Sequence, residues 1–216
     1  GNLVHLSPNQ VPFIEGNMLL ASAPSTDDLT ALVELDNMLY VGSADNSMKL
    51  LRYDIAQSAW MAPWTLSDNV LDMVVGPSAQ QGTSSLFVAM EGTPSVVEID
   101  TNGNTIQSYD GTSGCYPSST TVLDVAVNAD SVVFSLESGV FVHFDRASGA
   151  CTSYDTTNGL PTSFVGDVAL FGDTAYMATE DKGLLRYDIA NDTWLEPWGS
   201  TGVNGVNNAP VAVVGD

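Results

Sequence analysis

Basic residues are scarce in this chain. Five Lys and Arg stand against 26 Asp and Glu over 216 residues, a formal net charge of −21 at pH 7. Nucleic-acid binding needs clustered cations to displace counterions from phosphates, so no nucleic-acid partner is expected. Anionic membrane surfaces are disfavoured for the same electrostatic reason. So acidic a surface suits a salty medium, divalent cations or an assembly that screens the charge; it also keeps a protein soluble. Histidine is nearly absent: His5 and His143 are the only two, which leaves little material for a histidine-based metal site. No run approaches the ~18–20 apolar residues of a membrane-spanning helix, and no basic segment followed by an apolar one opens the chain. The chain is therefore expected to be soluble, without direct membrane insertion. It opens on Gly1, which fits a removed leader or an excised piece. No Gly-x-Ser-x-Gly elbow, His-Glu-x-x-His pair, phosphate-binding glycine loop or Cys-x-x-Cys motif occurs, so hydrolysis of the serine, zinc or nucleotide-dependent type has no support.

Cysteine is also sparse. Cys115 and Cys151 are the two present, enough for one disulfide, and a bridge of that kind points to an extracellular, cell-surface or periplasmic compartment. Asn191-Asp192-Thr193 has the form of a glycosylation sequon, which points the same way.

What the chain has is a repeat. Leu50-Leu51-Arg52-Tyr53-Asp54-Ile55-Ala56, running on to Trp60 and Pro63-Trp64, recurs 134 residues later as Leu184-Leu185-Arg186-Tyr187-Asp188-Ile189-Ala190, Trp194 and Pro197-Trp198. Val96–Asp100 and Phe141–Asp145 are two further copies, so Asp54, Asp100, Asp145 and Asp188 are spaced 46, 45 and 43 residues apart. Periods of this length mark propellers or helical arrays. Each copy holds four short runs of Val, Leu, Tyr and Phe separated by Gly, Asn, Asp and Ser, the pattern of strands and tight turns. In the last copy the runs are 167–171, 175–179, 183–188 and 193–197. The sequence thus predicts an all-β propeller of four-stranded antiparallel blades, at approximately 29–69, 70–120, 121–164 and 165–209. Pro210–Asp216 matches a first strand alone, while Asn2–Ser7, Val11–Glu15 and Met18–Ser22 match a second, third and fourth. A fifth blade built from 210–216 and 1–28 would close one domain over the whole chain and leave no free edge at the seam. The rivals are a fragment of a larger propeller, or a C-terminal strand that completes a neighbouring subunit.

Thr157-Asn158-Gly159-Leu160-Pro161, followed by Val165–Leu170, Ala175–Thr179 and Gly183-Leu184-Leu185-Arg186-Tyr187-Asp188, resembles the two-component-regulator type of propeller repeat. In that family a Gly-Leu-Pro turn leads into the inner strand and a Gly-Leu-x-Arg-Tyr-Asp strand follows. The likeness is good over the fourth blade, fair over the first and thin between them. It implies a propeller and a compartment outside the cytoplasm. It implies no ligand, because the shared residues are structural.

Three groups of side chains invite a functional reading. Asp72, Asp124 and Asp167 fall at the opening of the inner strand in three successive blades, with Thr30 and Pro210 assigned to the same place in the others. Facing one another across a central channel, they could bind Ca²⁺ or a sugar, or serve as the acid and base of a glycosidase; alternatively each accepts backbone N–H bonds. Trp60 and Trp194 open the outer strand, where large rings pack between blades, whereas Trp64 and Trp198, just past Pro63 and Pro197, are the better candidates for exposure and ligand stacking. Asp100–Asn104 has the oxygen spacing of a calcium loop's first half but lacks its later Gly and Glu, and reads as a hairpin turn. His143 stands in the repeat position of Arg52 and Arg186. The expected function is a non-catalytic extracellular module that binds a protein, a glycan or copies of itself in a surface assembly. No cofactor is expected beyond Ca²⁺. The alternatives are a filament or sheath subunit joined by strand exchange, and a small propeller glycoside hydrolase using the inner-strand Asp residues.

Overall fold

A computed structural model describes residues 29–43, 50–80, 82–93, 95–111, 114–117 and 120–199. They form four antiparallel sheets of four strands each. The first holds β1 (Leu29–Leu35), β2 (Met38–Ser43), β3 (Leu50–Asp54) and β4 (Ala59–Trp60). The second holds β5 (Val70–Pro77), β6 (Ser84–Met90), β7 (Val96–Ile99) and β8 (Thr105–Tyr109). The third holds β9 (Val122–Val127), β10 (Ser131–Leu136), β11 (Val140–Asp145) and β12 (Cys151–Tyr154). The fourth holds β13 (Val165–Phe171), β14 (Thr174–Thr179), β15 (Leu184–Asp188) and β16 (Thr193–Trp198). Every sheet pairs its strands in sequence order, the meander of a propeller blade, as the sequence predicts.

Local chemistry explains the hairpins. Asp36 and Asn37 turn β1 into β2 with φ of 54° and 61°, the left-handed pair that lets a two-residue turn match strand twist. At the third turn the repeated Asp acts as a cap. Oδ1 of Asp54, Asp100, Asp145 and Asp188 accepts the backbone N–H of Gln57, Asn102, Ser148 and Asn191 respectively. The Asp100 carboxylate also takes the N–H and side-chain amide of Asn104, so the calcium-like stretch is a hairpin turn.

Packing turns the four sheets into an arc. The inner strands β1, β5, β9 and β13 touch in succession, and apolar clusters fill the wedge between each pair of blades. The second strands β6 and β10 are buried almost end to end, because neighbouring blades cover both of their faces and no polar alternation is needed. Among the described residues β13 and β1 form no such packed pair. The predicted fifth blade, from 210–216 and 1–28, lies outside the described residues.

Candidate functional site

Among the described residues, the inner strand of each of the four blades carries a β-bulge at the same height. Pairing slips by a residue between Leu29 and Ala31, between Val70 and Asp72, opposite Ser135 and Leu136, and between Val165 and Val168. The residue after the bulge is Ala31, Asp72, Asp124 or Asp167. Three carboxylates thus share one column, and the first blade places Ala31 there; Thr30, assigned to that column from sequence, sits in the bulge. A bulge re-aims the side chain that follows it, and here it aims the Asp72 and Asp124 carboxylates at the next blade. Asp72 Oδ2 accepts the Val125 N–H of the next blade at 3.3 Å, and Asp124 Oδ2 accepts the Val168 N–H at 2.6 Å. Thr30 donates to the Val70 carbonyl at 2.7 Å, joining the first blade to the second. Ser135 adds a 2.5 Å bond to the Gly166 carbonyl. Asp167 is also engaged.

Burial and proximity make this column electrostatically unusual. The Asp124 carboxyl is pushed up to about 9, first by desolvation, then by a hydrogen bond to the Asp72 carboxyl and by that group's charge. Two carboxyls brought together away from water cannot both ionise cheaply, so at neutral pH Asp124 keeps its proton. Among the described residues no group of three or more His, Cys, Asp or Glu is placed to hold a metal ion, so the geometry adds nothing to a Ca²⁺ site at Asp72, Asp124 and Asp167.

The tryptophans sort into two environments. Trp194 packs between blades against Tyr154 and Phe141, at 5.7 Å and 6.2 Å between ring centres. Trp60 stacks edge-on to Tyr53 at 5.2 Å and lies beside Leu39, Val41 and Leu51. Trp64 differs from its expected exposure. The Arg52 guanidinium sits 4.3 Å above its ring, and a Cβ on Gly103 of the next blade would come within 2.7 Å of it. It is therefore a contact between blades. Trp198 has the matching Arg186 at 4.3 Å and remains 53% exposed.

An ion pair joins the second and third blades. Glu98 Oε2 meets Arg146 Nη2 at 3.2 Å, with both side chains buried. Oε1 of Glu98 accepts Ser78, Ala79 and Ser85, and Oε2 accepts Tyr109. Arg146 donates to the carbonyls of Pro77, Asn128 and Ala129 and lies 5.1 Å over the Phe87 ring. The pair carries a signal that sequence inspection can find. Glu98 stands in the repeat position of Arg52 and Arg186, and Arg146 in that of Ile55 and Ile189, so two departures of opposite charge fall in consecutive blades.

The remaining candidates are ordinary in their surroundings. His143 bonds the Ser131 hydroxyl at 3.0 Å, and burial pushes its pKa down. Cys115 and Cys151 are joined in a disulfide that fastens the loop after β8 to the outer strand of the third blade. Asn191 is exposed in the β15–β16 turn, its amide held 2.9 Å from Asp188 Oδ2. Among the described residues no helix is long and apolar enough to cross a membrane.

No protein-family model and no curated protein match the chain. Solved structures share its fold. A computationally designed protein, Ika8, superposes with a TM-score of 0.60 at 17% identity, over 79% of this chain and 49% of that one. A second design, Ika4, gives 0.60 at 16% identity over 81% of this chain and 99% of its own. Sqt1 of Saccharomyces cerevisiae gives 0.59 at 8% identity over 79% of this chain and 48% of that one. The chain thus spans about half the length of Ika8 and of Sqt1. At these identities the likeness establishes the fold: a propeller of four-stranded antiparallel blades.

Proposed function

We propose that this chain is a non-catalytic module that acts outside the cytoplasm and holds a protein or a glycan on a face of a rigid propeller. The observation that carries this reading is the engagement of its best chemical candidates in joining blades. Asp72 and Asp124 hold backbone N–H groups of the neighbouring blade, and Trp64 fills a gap between two blades. A glycosidase needs one free carboxylate beside a protonated one, both open to the substrate. The Cys115–Cys151 bridge supports an oxidising compartment. A net charge of −21 disfavours anionic polymers, so the partner surface is neutral or basic.

Affinity electrophoresis of the full chain through gels cast with neutral or amino-bearing polysaccharides, with reducing ends assayed in parallel, tests this. Retardation without release of reducing ends supports a binding module. Release of reducing ends that disappears in a folded Asp124→Asn variant would make the chain a glycoside hydrolase and end the proposal.

A further inference from the structure

Three of the four inner hairpins turn in two or three residues, and each of those turns carries an exposed acid. Asp36-Asn37 joins β1 to β2, residues 128–130 join β9 to β10, and Gly172-Asp173 joins β13 to β14, with Asp36, Asp130 and Asp173 in solvent. The second blade departs from this pattern. Six residues, 78–83, separate β5 from β6, and none of them is charged. The N–H groups of Ile55, Arg146 and Ile189 donate to the carbonyls of Asn37, Asp130 and Asp173, so the inner hairpin turns and the third turns share one end of the blades. At that end one long uncharged turn stands among short acidic ones.

The long turn is held in place. The Ser78 N–H donates to the Thr83 carbonyl at 2.9 Å, the Thr83 hydroxyl to the Gln80 carbonyl at 2.9 Å, and the Gln80 N–H to Ser78 Oγ at 3.1 Å. Glu98 Oε1 takes the Ser78 hydroxyl at 3.1 Å and the Ala79 N–H at 2.8 Å, while Arg146 Nη1 of the next blade donates to the Pro77 carbonyl at 2.7 Å. Both members of the buried charge pair therefore grip the start of this turn. Such a pair gains little stability over apolar packing. At the next seam, where the third blade turns in three residues, the same places hold His143 and Ile189. The pair thus coincides with the long turn. Gln80, Gly82 and Thr83 are exposed, and a Cβ on Gly82 would meet nothing within 4 Å, so the tip is open to a partner.

We propose that the turn between Ser78 and Thr83 is a contact surface for a neutral saccharide, bound by the Gln80 amide and the Thr83 hydroxyl and positioned by Glu98 and Arg146. The chemistry follows from the exposed groups. A glutamine amide offers two donors and an acceptor, and a hydroxyl that donates once still accepts, a set that matches sugar hydroxyls and gives an ionic ligand no counter-charge. A turn fixed beforehand loses less entropy on binding. This inference rests on the glycan arm of the binding role proposed above.

Affinity electrophoresis of the full chain tests it, in gels cast with the neutral polymers galactomannan, hydroxyethyl cellulose or laminarin, or with amino-bearing glycol chitosan. Retardation by a neutral polymer is expected, with affinity about tenfold weaker in a Gln80→Ala, Thr83→Ala variant that loses the two hydrogen-bonding side chains. Urea midpoints check that this variant is folded; should it not be, Gln80→Glu, a change at an exposed position, takes its place with the same expectation. Glu98→Met combined with Arg146→Ile should also weaken retardation and speed hydrogen exchange of the Ala79 amide, and unchanged binding in it overturns the positioning role. Equal retardation of the parent and the turn variant overturns the inference and leaves the binding role standing. Retardation by glycol chitosan alone does the same, since the acidic surface is then the contact. No retardation by any of the polymers overturns the glycan arm as well and leaves a protein as the partner.

Discussion

Glu98 and Arg146 stand 48 residues apart in sequence and 3.2 Å apart in space, and together they form a buried charge pair across the seam between the second and third blades. At the next seam the corresponding positions hold His143 and Ile189. A charge pair removed from water is weak evidence for stability, yet losing one member leaves the other buried and uncompensated.

Arg146→Ile alone is therefore expected to destabilise by about 3–5 kcal/mol, since Glu98 would keep only hydroxyl and amide donors. Glu98→Met combined with Arg146→Ile, which removes both charges together, should recover a large part of that loss. Urea unfolding of the two variants measures the difference, and equal stabilities would refute the pairing argument.

Asp124 predicts a pH dependence of defined sign. Its folded carboxyl titrates at about 9, above the ordinary value of about 4 in an unfolded chain. The folded state thus binds the extra proton, and the contribution is complete in acid and is lost as pH rises through about 9. Asp124→Asn keeps an acceptor for the Val168 N–H and a donor for Asp72 with nothing to ionise. Thermal unfolding of this variant should lose much less stability than the parent between neutral and alkaline pH; parallel declines would count against a protonated Asp124.

The turn caps act on the acid side. Hydrogen bonds from Asn104, Ser148 and Asn191 hold the Asp100, Asp145 and Asp188 carboxyls below the ordinary range. A depressed carboxyl contributes stability that is present above its unfolded value and disappears as pH falls through its folded one. Replacing all three by Asn should therefore flatten the acid limb of the unfolding curve and leave the alkaline limb unchanged.

Gly103 is a tight point of the first seam. It has φ of 90°, and a Cβ there would lie 2.7 Å from Trp64. Gly103→Ala is expected to cost about 2 kcal/mol or more, part backbone strain and part collision. In a Trp64→Ala background the collision vanishes, so the second cost should be smaller. Denaturation of the four chains shows whether it is.

Reduction of Cys115–Cys151 frees a loop closed over a separation of 36 residues, for which chain entropy gives about 4 kcal/mol. Unfolding with and without reductant should show a large loss, and a change under about 1 kcal/mol would mean that the reduced loop stays equally constrained.

Much of the architecture is legible in the residues alone. Strand-length apolar runs, Gly and Asn-Asp turns and the 134-residue offset are local or periodic features, and they predict four meandering blades and nearly the observed spans of β13–β16. The Asp at 54, 100, 145 and 188 is visible as a repeat, and its hydrogen bonds explain why each hairpin keeps it. The inner-strand carboxylates stand out as well, but with Thr30 rather than Ala31 as their first-blade neighbour. A bulge adds one residue to one strand, and apolar alternation does not show where.

By itself, the sequence determined the blade: its period, strand order, turn chemistry and acidic surface all follow from residues close together in the chain. Only the tertiary structure decided what lies between blades. It set the carboxylates of Asp72 and Asp124 on their neighbours' N–H groups, paired Glu98 with Arg146, packed a half-buried Trp64 against the second blade and left Trp198 53% exposed. Those outcomes depend on which blade stands beside which, and matched repeats such as Trp64 and Trp198 read alike until a neighbour covers one of them.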